Sequence, residues 1–413
     1  MGVRGYLRAG APSSKVAGMG KRHAIATLVA CLAIFGAAAS ARADFASCLS
    51  ALRGQALAHG ITSATFSNYA AGLKPNDAPK FLGAQPEFNI PVWDYLGGLV
   101  DQQRVSDGVA QMKAHAHALA TAEERFGVDR FVVAAVWGVE SDYGRDFGKR
   151  PVVASLASLS CVASRRQAYF RKEFVAALRL LQERQVRPDR FYGSWAGAFG
   201  NTQFMPTTFF QSAVDMDGDG RADIINSPAD ALGSTANFLR QHGWKPGLPW
   251  GFEVRLPTGY KGPSGRRAKR TMAFWTAHGL RKAYGSGLGA GAAALLLPAG
   301  RAGPAFLVTR NFEALYSYNE AESYALAIGL LSNRLRGLPP LAAPWPGGER
   351  GLSRIERREM QALLTKRGYD IGEADGVLGA KSRAAMADAQ RKMGMTPNGW
   401  ATPQLLKALE PSQ

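Results

Sequence analysis

The sequence predicts a mainly α-helical protein with two folded units of unequal size and a small β element. Most of residues 44–336 form apolar segments with helical spacing, such as 100–126 and 165–185, separated by Gly and Pro turns. Residues 337–350 contain four prolines and three glycines, a composition typical of an extended linker. Residues 351–413 have a helical periodicity of their own, which predicts a second, smaller unit.

Length and composition narrow the class of protein. The chain has 413 residues, enough for two or three domains, and its 46% apolar and 20% charged residues exclude a wholly disordered chain. The formal net charge of +18 favours an anionic partner, such as nucleic acid, an acidic membrane surface or a carboxylate-rich polymer. The first 43 residues hold six basic and no acidic side chains, which leaves +12 on the rest. Three cysteines exclude a disulfide-dense scaffold and a four-thiolate zinc site.

The N-terminus is typical of a secretory signal peptide. Lys21 and Arg22 precede an apolar stretch at 24–39, and residues 41–43 have the small-x-small pattern of a cleavage site. The apolar stretch is shorter than the roughly 20 residues that span a bilayer. We therefore expect residues 1–43 to be removed during export to the periplasm, with no transmembrane segment in the mature chain.

Some details of the exported chain stay open in the sequence. Cys31 follows a small residue, as in a lipidation site, but the apolar stretch continues past it, so a lipoprotein is the less favoured alternative. Met19 begins a shorter signal peptide, so translation could start there or at Met1. Because the compartment is oxidising, we favour a disulfide between Cys48 and Cys161, the only mature cysteines, over two buried thiols.

One carboxyl group ends an unusually apolar helix. Residues 129–141 predict a helix that begins at an Asp129 N-cap and is apolar on all faces, as buried helices are. Glu140 follows nine apolar residues, so we expect it at the rim of the core, where desolvation raises its pKa. A carboxylic acid that stays protonated near neutral pH is suited to protonate a glycosidic oxygen. The alternative is a structural glutamate paired with an arginine.

The segment 193–206 combines three glycines with polar and aromatic side chains. Glycines let a backbone or a ligand approach closely. Ser194 and Gln203 supply hydrogen-bonding groups, and Trp195 and Phe204 supply flat apolar faces. Sugars alternate C–H faces with hydroxyl edges, so this segment suits a carbohydrate groove; a tight helix–helix contact is the alternative.

Residues 215–223 match the first half of an EF-hand-like calcium loop. Carboxylates stand at loop positions 1, 3 and 5, and glycine stands at position 6. The match fails at position 12, where Asn226 replaces glutamate. The expected ligands are Asp215, Asp217, Asp219, the backbone carbonyl of Arg221, and Asp230 from further along the chain. A structural calcium ion and a polar turn of solvated aspartates fit this pattern equally.

The small β element is predicted near the end of the larger unit. Residues 293–297 and 305–309 are short apolar runs bounded by Gly and Pro turns, which predict two strands. A helix is expected over 320–336. Tyr318 and Asn319, just ahead of it, can line a cleft, although such residues more often cap and pack.

Four motifs stand in the order found in the lytic murein transglycosylase B family. They are Val136–Ser141, Gly193–Gly200 with Gln203–Pro206, the Asp-Gly-Asp-Gly loop, and Tyr318-Asn319. Residues 44–336 resemble that family over essentially their whole length. From about Leu352 to Leu409 the chain resembles a type 1 peptidoglycan-binding domain, through Leu363, Gly368-Tyr369-Asp370, Gly372, Asp375-Gly376, Gly379, Gln390, Gly394 and Asn398-Gly399-Trp400. The chain differs from the usual pattern of this domain near Lys381, where a threonine is usual, and at Ala389, where a phenylalanine is usual.

The resemblance implies a lysozyme-like helical catalytic domain followed by a small three-helix peptidoglycan-binding domain. Members of the family cut the β-1,4 bond between N-acetylmuramic acid and N-acetylglucosamine without water and form a 1,6-anhydro ring. Glu140 would act as acid and then as base, while Ser194, Gln203, Asn319 and Tyr318 would position the substrate. The resemblance implies no catalytic cofactor, and we expect a monomer that acts on peptidoglycan glycan strands.

Two other functions stay open at this point. A hydrolytic muramidase would use water and a second carboxylate about 5–9 Å from Glu140, with Asp142 as one candidate. A non-catalytic protein that only binds the cell wall would not need Glu140. A nucleic-acid partner is not expected, because export separates the protein from nucleic acid and no compact basic stripe occurs in the sequence. The carboxylates of peptidoglycan stem peptides give the basic charge a partner instead.

Overall fold

The larger unit is built mainly from helices, as the sequence predicted. The computed structural model describes residues 44–83, 85–346 and 350–410, so the predicted signal peptide and Cys31 lie outside the described residues. None of the helices within these ranges is both long and apolar enough to cross a bilayer. The helices of the larger unit are α1 (residues 44–58), α2 (Ser63–Tyr69), α3 (Pro86–Asn89), α4 (Val92–Gly97), α5 (Gln102–Ala114), α6 (Ala116–Phe126), α7 (Arg130–Ser141), α8 (Val152–Val162), α9 (Gln167–Gln182), α10 (Pro206–Ser212), α11 (Pro228–Gln241), α12 (Met272–Ala277), α13 (Arg310–Asn319) and α14 (Glu322–Leu335).

A small antiparallel sheet follows α11 in the chain. The strands of the unit are β1 (Arg150–Pro151), β2 (Tyr192–Gly193), β3 (Gly251–Arg255), β4 (Arg270–Thr271), β5 (Arg281–Lys282), β6 (Ala292–Leu296) and β7 (Ala305–Val308). β1 pairs with β2, and the other five form one sheet in the order β4-β6-β7-β3-β5. The sequence predicted β6 and β7, which are apolar runs, and missed β3, β4 and β5. Two-residue strands such as β4 and β5 are too short to show an alternating pattern.

α7 lies within the core of the larger unit. Asp129 caps its first turn by accepting a hydrogen bond from the amide of Phe131 at 2.9 Å, which confirms the predicted N-cap. Eight of the twelve residues of α7 are buried, and α14, α11, α6 and α5 pack against the helix. A helix that is apolar on all faces is stable only when it is covered on all sides. The packing around α7 therefore fixes the position of its last turn, which carries Glu140.

One helix prediction is wrong in detail. The helix predicted over 100–126 is two helices, α5 and α6, which meet at His115. No glycine or proline interrupts the chain there; α5 packs against α14 and α7, whereas α6 packs mainly against α11. Tertiary packing sets this boundary, and local sequence patterns do not contain it. The helix predicted over 320–336 is present as α14, and Tyr318 and Asn319 just ahead of it form the last turn of α13.

The smaller unit consists of three helices around an apolar core of its own. These are α15 (Arg354–Lys366), α16 (Ala380–Lys392) and α17 (Pro403–Leu409). Ser353 and Glu356 form a capping box at the start of α15: the side chain of each residue accepts a hydrogen bond from the backbone amide of the other. The buried apolar residues of this unit form a cluster separate from that of the larger unit.

Hydrogen bonds attach the predicted linker between the two units to the larger unit. The amides of Ala342 and Ala343 donate to the two carboxylate oxygens of Glu253, each at 2.8 Å. The hydroxyl of Tyr284 donates to the carbonyl of Pro340 at 2.9 Å. Because β3 carries Glu253, these bonds fix the path of the predicted linker against the small sheet.

A disulfide joins α1 to α8. Cys48 lies on α1 and Cys161 lies in the last turn of α8, with their Cα atoms 5.7 Å apart. That spacing is within the range that a disulfide requires. The two cysteines are 113 positions apart in the sequence, so the bond closes a long loop of the unfolded chain.

We expect the double variant Cys48→Ser/Cys161→Ser to have a free energy of unfolding about 2–5 kcal/mol lower than that of the wild type. The crosslink no longer restricts the unfolded chain in this variant. Urea unfolding of both proteins without reductant measures the difference. Reductant should shift the wild type towards the double variant and leave the double variant unchanged; equal midpoints for the two proteins without reductant would contradict the expectation.

Candidate active site

Glu140 lies in the last turn of α7, half-buried, and lines a cavity of about 430 Å³. The larger unit contributes side chains from α3, α4, α5, α13 and α14 to this cavity, and the smaller unit contributes the rest. The lining residues include Glu87, Tyr95, Arg104, Glu140, Asp142, Asn319, Tyr324, Arg354, Arg357, Arg358, Val377 and Arg383. Both folded units therefore surround the carboxyl group that the sequence singled out.

The carboxyl group of Glu140 holds its proton unusually tightly. Burial raises the pKa of Glu140 to about 8, since the apolar surroundings disfavour the charged form. A hydrogen bond from the hydroxyl of Tyr324 to Oε1 of Glu140 lowers the pKa, and the negative charge of Glu87 raises it. The group is therefore largely protonated at neutral pH but lies close to its titration point.

Three tyrosines surround the acid. Burial raises the pKa of Tyr95, Tyr318 and Tyr324 well above that of an ordinary tyrosine, and the Glu140 carboxylate adds to the effect. Their hydroxyls are therefore neutral. Tyr324 donates to Glu140 and stacks on Tyr318 with ring centroids 6.1 Å apart. These rings exclude water from one side of the carboxyl group.

Asp142 has the opposite charge state from Glu140, although it lies only two residues further on. Burial alone would raise the pKa of Asp142, but hydrogen bonds from Arg354 and the charge of Arg104 lower it below its usual value. Arg354 donates to both carboxylate oxygens of Asp142, each at 2.8 Å, and Arg104 lies 3.1 Å from Oδ1. Asp142 is therefore ionised, and arginines contact both of its oxygens.

Glu87 is a second carboxylate in the cavity. Its Oε1 accepts a hydrogen bond from Nδ2 of Asn319 at 3.2 Å, and its backbone carbonyl accepts one from the hydroxyl of Ser323 at 2.9 Å. These bonds join α3 to the end of α13 and the start of α14. Of the four predicted substrate-binding residues, Asn319 is the one that lines the cavity with Glu140.

The glycine-rich segment is hydrogen-bonded directly to α7. The indole of Trp137 donates to Oδ1 of Asn201, and the hydroxyl of Ser141 donates to the backbone carbonyl of Asn201, both at 2.8 Å. Gly200 has a φ of 71°, and a Cβ there would meet the carbonyl oxygen of Ile224 at 2.8 Å. Only glycine allows this close approach without strain.

The other three predicted substrate-binding residues, Ser194, Gln203 and Tyr318, are not among those that line the cavity. The hydroxyl of Ser194 accepts from the amides of Ala196 and Ala198, and the side chain of Gln203 donates to two backbone carbonyls. The hydroxyl of Tyr318 donates to the carbonyl of Thr202 at 2.7 Å. Each of the three therefore has a hydrogen bond within the protein, Ser194 and Gln203 in the glycine-rich segment and Tyr318 on α13.

The aspartate loop gathers part of the predicted ligand set. Asp215, Asp217 and Asp230 each place a carboxylate oxygen within 4.8 Å of the other two. Asp230 is buried, and its oxygens accept amide hydrogen bonds from Met216 and Asp223, so it fixes the loop. Such oxygen donors are the kind that calcium prefers. The same grouping does not include the carboxylate of Asp219, which accepts from the amide of Arg221.

A larger cavity, of about 810 Å³, lies between the small sheet and the linker. Its lining is mostly apolar and includes Trp93, Phe306 and Trp345. Its carboxylate, Glu253, already accepts two amide hydrogen bonds from the linker. We place the active site in the smaller cavity, because that one contains a carboxylic acid with a raised pKa.

Sequence reasoning missed several residues around Glu140. Tyr324 and Tyr95 stand in ordinary helical segments, where a buried tyrosine is usually part of a core. No sequence pattern distinguishes Glu87 from the many acidic residues that are expected on the surface. The arginines of the smaller unit reach the cavity only through docking of that unit. The residues that did indicate this location are Glu140, through its apolar context, and Asn319, through the family resemblance.

Comparisons with known proteins identify the families that the two folded units match. Residues 44–333 match the family described as transglycosylase SLT domain, and residues 353–409 match a putative peptidoglycan binding domain. Membrane-bound lytic murein transglycosylase B of Escherichia coli K12 is 32% identical over 262 residues, which are 62% of this chain and 71% of that protein.

Solved structures show the same relationship. SltB3 of Pseudomonas aeruginosa, in complex with NAG-anhNAM-pentapeptide, is 43% identical, with a TM-score of 0.70 over 88% of this chain and 99% of that one. The Escherichia coli lytic transglycosylase Slt35, in complex with calcium, is 28% identical, with a TM-score of 0.61 over 71% of this chain and 92% of that one. The chain thus belongs to the transglycosylase SLT domain family, whose members are lytic enzymes of peptidoglycan.

Proposed function

We propose that the enzyme cleaves the β-1,4 bond between N-acetylmuramic acid and N-acetylglucosamine by ring closure, without hydrolysis. The observation that carries this proposal is the protonated, half-buried carboxyl group of Glu140 in a cavity that surrounds it with neutral tyrosines. The likeness to a structure in complex with NAG-anhNAM-pentapeptide supports the anhydro product.

The reaction needs one proton carrier and no water. Glu140 donates its proton to the glycosidic oxygen while the bond from that oxygen to C1 of the muramic acid breaks. The C6 hydroxyl of the same sugar then bonds to C1, and its proton returns to Glu140. An intramolecular nucleophile is held at a high effective concentration. Between the two steps the hydroxyl of Tyr324, which donates to Glu140, stabilises the carboxylate.

Hydrolysis fits the geometry less well. A hydrolase of this kind needs a second carboxylate to activate water or to attack C1. Asp142, the candidate from the sequence, is ionised but bonded to Arg104 and Arg354. Glu87, Asp146 and Asp375 also line the cavity. Their carboxylates accept hydrogen bonds from the side chain of Asn319, the amide of Gly148 and the amide of Val377, respectively. We assign Glu87 the role of raising the pKa of Glu140 and orienting Asn319.

The remaining substrate contacts belong to the same proposal. Asn319 lines the cavity and offers an amide group for the N-acetyl group of the muramic acid. Ser194 and Gln203 would bind the sugar at the edge next to Glu140, exchanging their present bonds to the backbone for bonds to the substrate. Tyr318 supports Tyr324 by stacking.

We propose that Asp215, Asp217 and Asp230 hold a structural calcium ion, together with Asp219 and the carbonyl of Arg221. The grouping of three carboxylates and the calcium complex of the similar Slt35 support this assignment. The ion would neutralise the loop carboxylates and fix the loop. It has no part in bond cleavage.

We propose the periplasm as the place of action. Peptidoglycan, the substrate of the family, lies there, and residues 1–43 have the pattern of an export signal. One relative is named membrane-bound, so a lipid on Cys31 stays as the less favoured alternative to a freely diffusing monomer.

Glu140→Gln tests the proposed function. The variant cannot donate or accept the proton, so we expect anhydro ends to form about a hundred- to ten-thousandfold more slowly. Mass spectrometry of digested sacculi measures the products, because anhydro ends lack one water relative to reducing ends. Glu124→Gln, an exposed glutamate on α6, is the control and should digest at the wild-type rate. Undiminished digestion by Glu140→Gln, or reducing ends from the wild type, would contradict the proposal.

The pH profile should report the raised pKa of Glu140. The free enzyme needs the protonated form, so kcat/KM should be sustained through neutral pH and fall as the pH rises through about 8. Glu87→Gln removes a like charge, so this fall should begin at a lower pH in that variant. Glu124→Gln should leave the profile unchanged. A fall centred near 4.5, the ordinary pKa of a glutamic acid, would contradict the assignment.

Calcium should stabilise the enzyme without activating it. At a hundredfold excess over Kd, a bound ligand adds about 2.7 kcal/mol to the free energy of unfolding, so calcium should raise the Tm. Asp217→Asn should abolish the rise, whereas Asp370→Asn, an exposed aspartate of the smaller unit, should retain it. Thermal unfolding with calcium and with a chelator measures the difference. The same rise in Asp217→Asn and in the wild type would contradict the site.

A further inference from the structure

The smaller unit contacts the end of the catalytic helix through a bidentate ion pair. The guanidinium of Arg354, at the start of α15, donates to both oxygens of Asp142 at 2.8 Å. The amide of Arg354 also donates to Oδ2 of Asp101 at 2.9 Å. Planar, two-bond contacts of this kind fix orientation as well as distance. Asp142 directly follows α7, two residues after Glu140.

The turn that this ion pair holds has an unusual backbone. Asp142 and Tyr143 both lie in the left-handed region, with φ of 51° and 58°, and Gly144 follows with φ of 83°. Non-glycine residues in this region are strained and persist only where their surroundings hold them. Here the hydroxyl of Tyr143 donates to the carbonyl of Arg104 at 3.0 Å, and Arg104 and Arg354 hold Asp142.

The contact is buried, which separates it from an ordinary surface ion pair. Arg104 and Arg354 are only 7% and 8% exposed, respectively. Exposed pairs contribute little, whereas removing one partner of a buried pair leaves an uncompensated charge in a poorly solvated place. Asp142 also pairs with Arg104 through Oδ1 and with Arg145 through Oδ2, each at 3.1 Å. Arg354 is the partner that donates to both oxygens and that comes from the smaller unit, so its docking adds the bidentate contact.

A second contact of the same kind lies on the neighbouring helix. Asp94 on α4 is 1% exposed and pairs with Arg357 at 3.0 Å and with Arg383 at 3.2 Å, both from the smaller unit. The next residue, Tyr95, lines the cavity of Glu140. The smaller unit thus contacts two elements that carry cavity residues, and Val377 of that unit lines the cavity itself.

We propose that Arg354 is a positioning residue of the catalytic centre: through Asp142 it fixes the end of α7 and so the direction of the Glu140 carboxyl group. The smaller unit is then a working part of the active site in addition to any role in holding the enzyme on peptidoglycan. This inference rests on the proposed role of Glu140 as the acid. It distinguishes a docked, catalytically required unit from one that only tethers the enzyme to its polymer.

Arg354→Ala tests the proposal on a soluble peptidoglycan oligosaccharide, a substrate for which a tether brings no advantage. We expect kcat to fall about ten- to a hundredfold, since small displacements of a catalytic group cost rates of this order, while KM changes less. Arg354→Lys retains the charge but loses the bidentate contact, so it should recover part of the rate. Arg391→Ala removes an exposed ion pair with Asp388 in the same unit and should retain the wild-type kcat.

A double-mutant cycle tests whether Arg354 acts through Asp142. Asp142→Asn weakens the pair from the other side, so Arg354→Ala/Asp142→Asn should lose little more activity than either single variant. Losses in the double variant that equal the product of the two single losses would show that the two residues act separately, and would overturn the proposal.

The pH profile provides a readout that a loss of stability alone would not change. If the end of α7 moves, water reaches Glu140, so the fall of kcat/KM in Arg354→Ala should begin below the wild-type pH. Arg391→Ala should follow the wild type. Neither variant replaces the other charged or titratable side chains around Glu140. These are Glu87 of α3, Tyr95 of α4, Arg104 of α5, Tyr318 of α13, Tyr324 of α14, Asp142 and Asp146 after α7, and Arg357, Arg358, Asp375 and Arg383 of the smaller unit.

The outcomes separate this inference from the proposed function. A folded Arg354→Ala enzyme with the wild-type kcat and pH profile on the soluble oligosaccharide would overturn the positioning role. If that variant does not fold, Arg354→Lys and Asp142→Asn provide the same comparison. A failure of the proposed function would be recognised by a different result: the wild type would form no anhydro ends, or Glu140→Gln would remain active.

Discussion

The chemistry proposed for this enzyme depends on the desolvation of one carboxyl group, that of Glu140. The apolar packing of α7 and the rings of Tyr95 and Tyr324 leave little water to stabilise a charge there. The hydroxyl of Tyr324 acts in the other direction by donating to the carboxylate. A pKa of about 8 results, so the same group can give a proton and take one back near neutral pH.

The end of α7 holds two carboxyl groups in opposite charge states. Glu140 keeps its proton among apolar groups, whereas Asp142 loses its proton beside Arg104 and Arg354. Environments that separate the pKa values of neighbouring acids are a usual way to assign distinct roles to them. The left-handed turn at Asp142 ends the helix between these environments, and a side chain from the second folded unit contributes to holding it.

The parts of this site that depend on local sequence patterns could be predicted from the sequence. The apolar run before Glu140 predicted a buried helix, its N-cap and a raised pKa, and all three are present. Tyr324 and Arg354 were missed because they meet α7 from 184 and 212 positions away in the chain. The hydroxyl of Ser194, predicted in the groove, accepts two amide hydrogen bonds within the glycine-rich segment, and its contact with a sugar stays a prediction. Such contacts depend on tertiary packing, which no short-range pattern contains.

The protonation state of Glu140 can be measured directly. A carbon-13 NMR titration of the glutamate side-chain carboxyl groups, with the Glu140→Gln spectrum identifying the signal, gives the pKa of this one group in the intact enzyme. A midpoint near pH 8 agrees with a desolvated acid that protonates the leaving oxygen. A midpoint near 4.5 would show an ionised carboxylate at neutral pH and contradict the account.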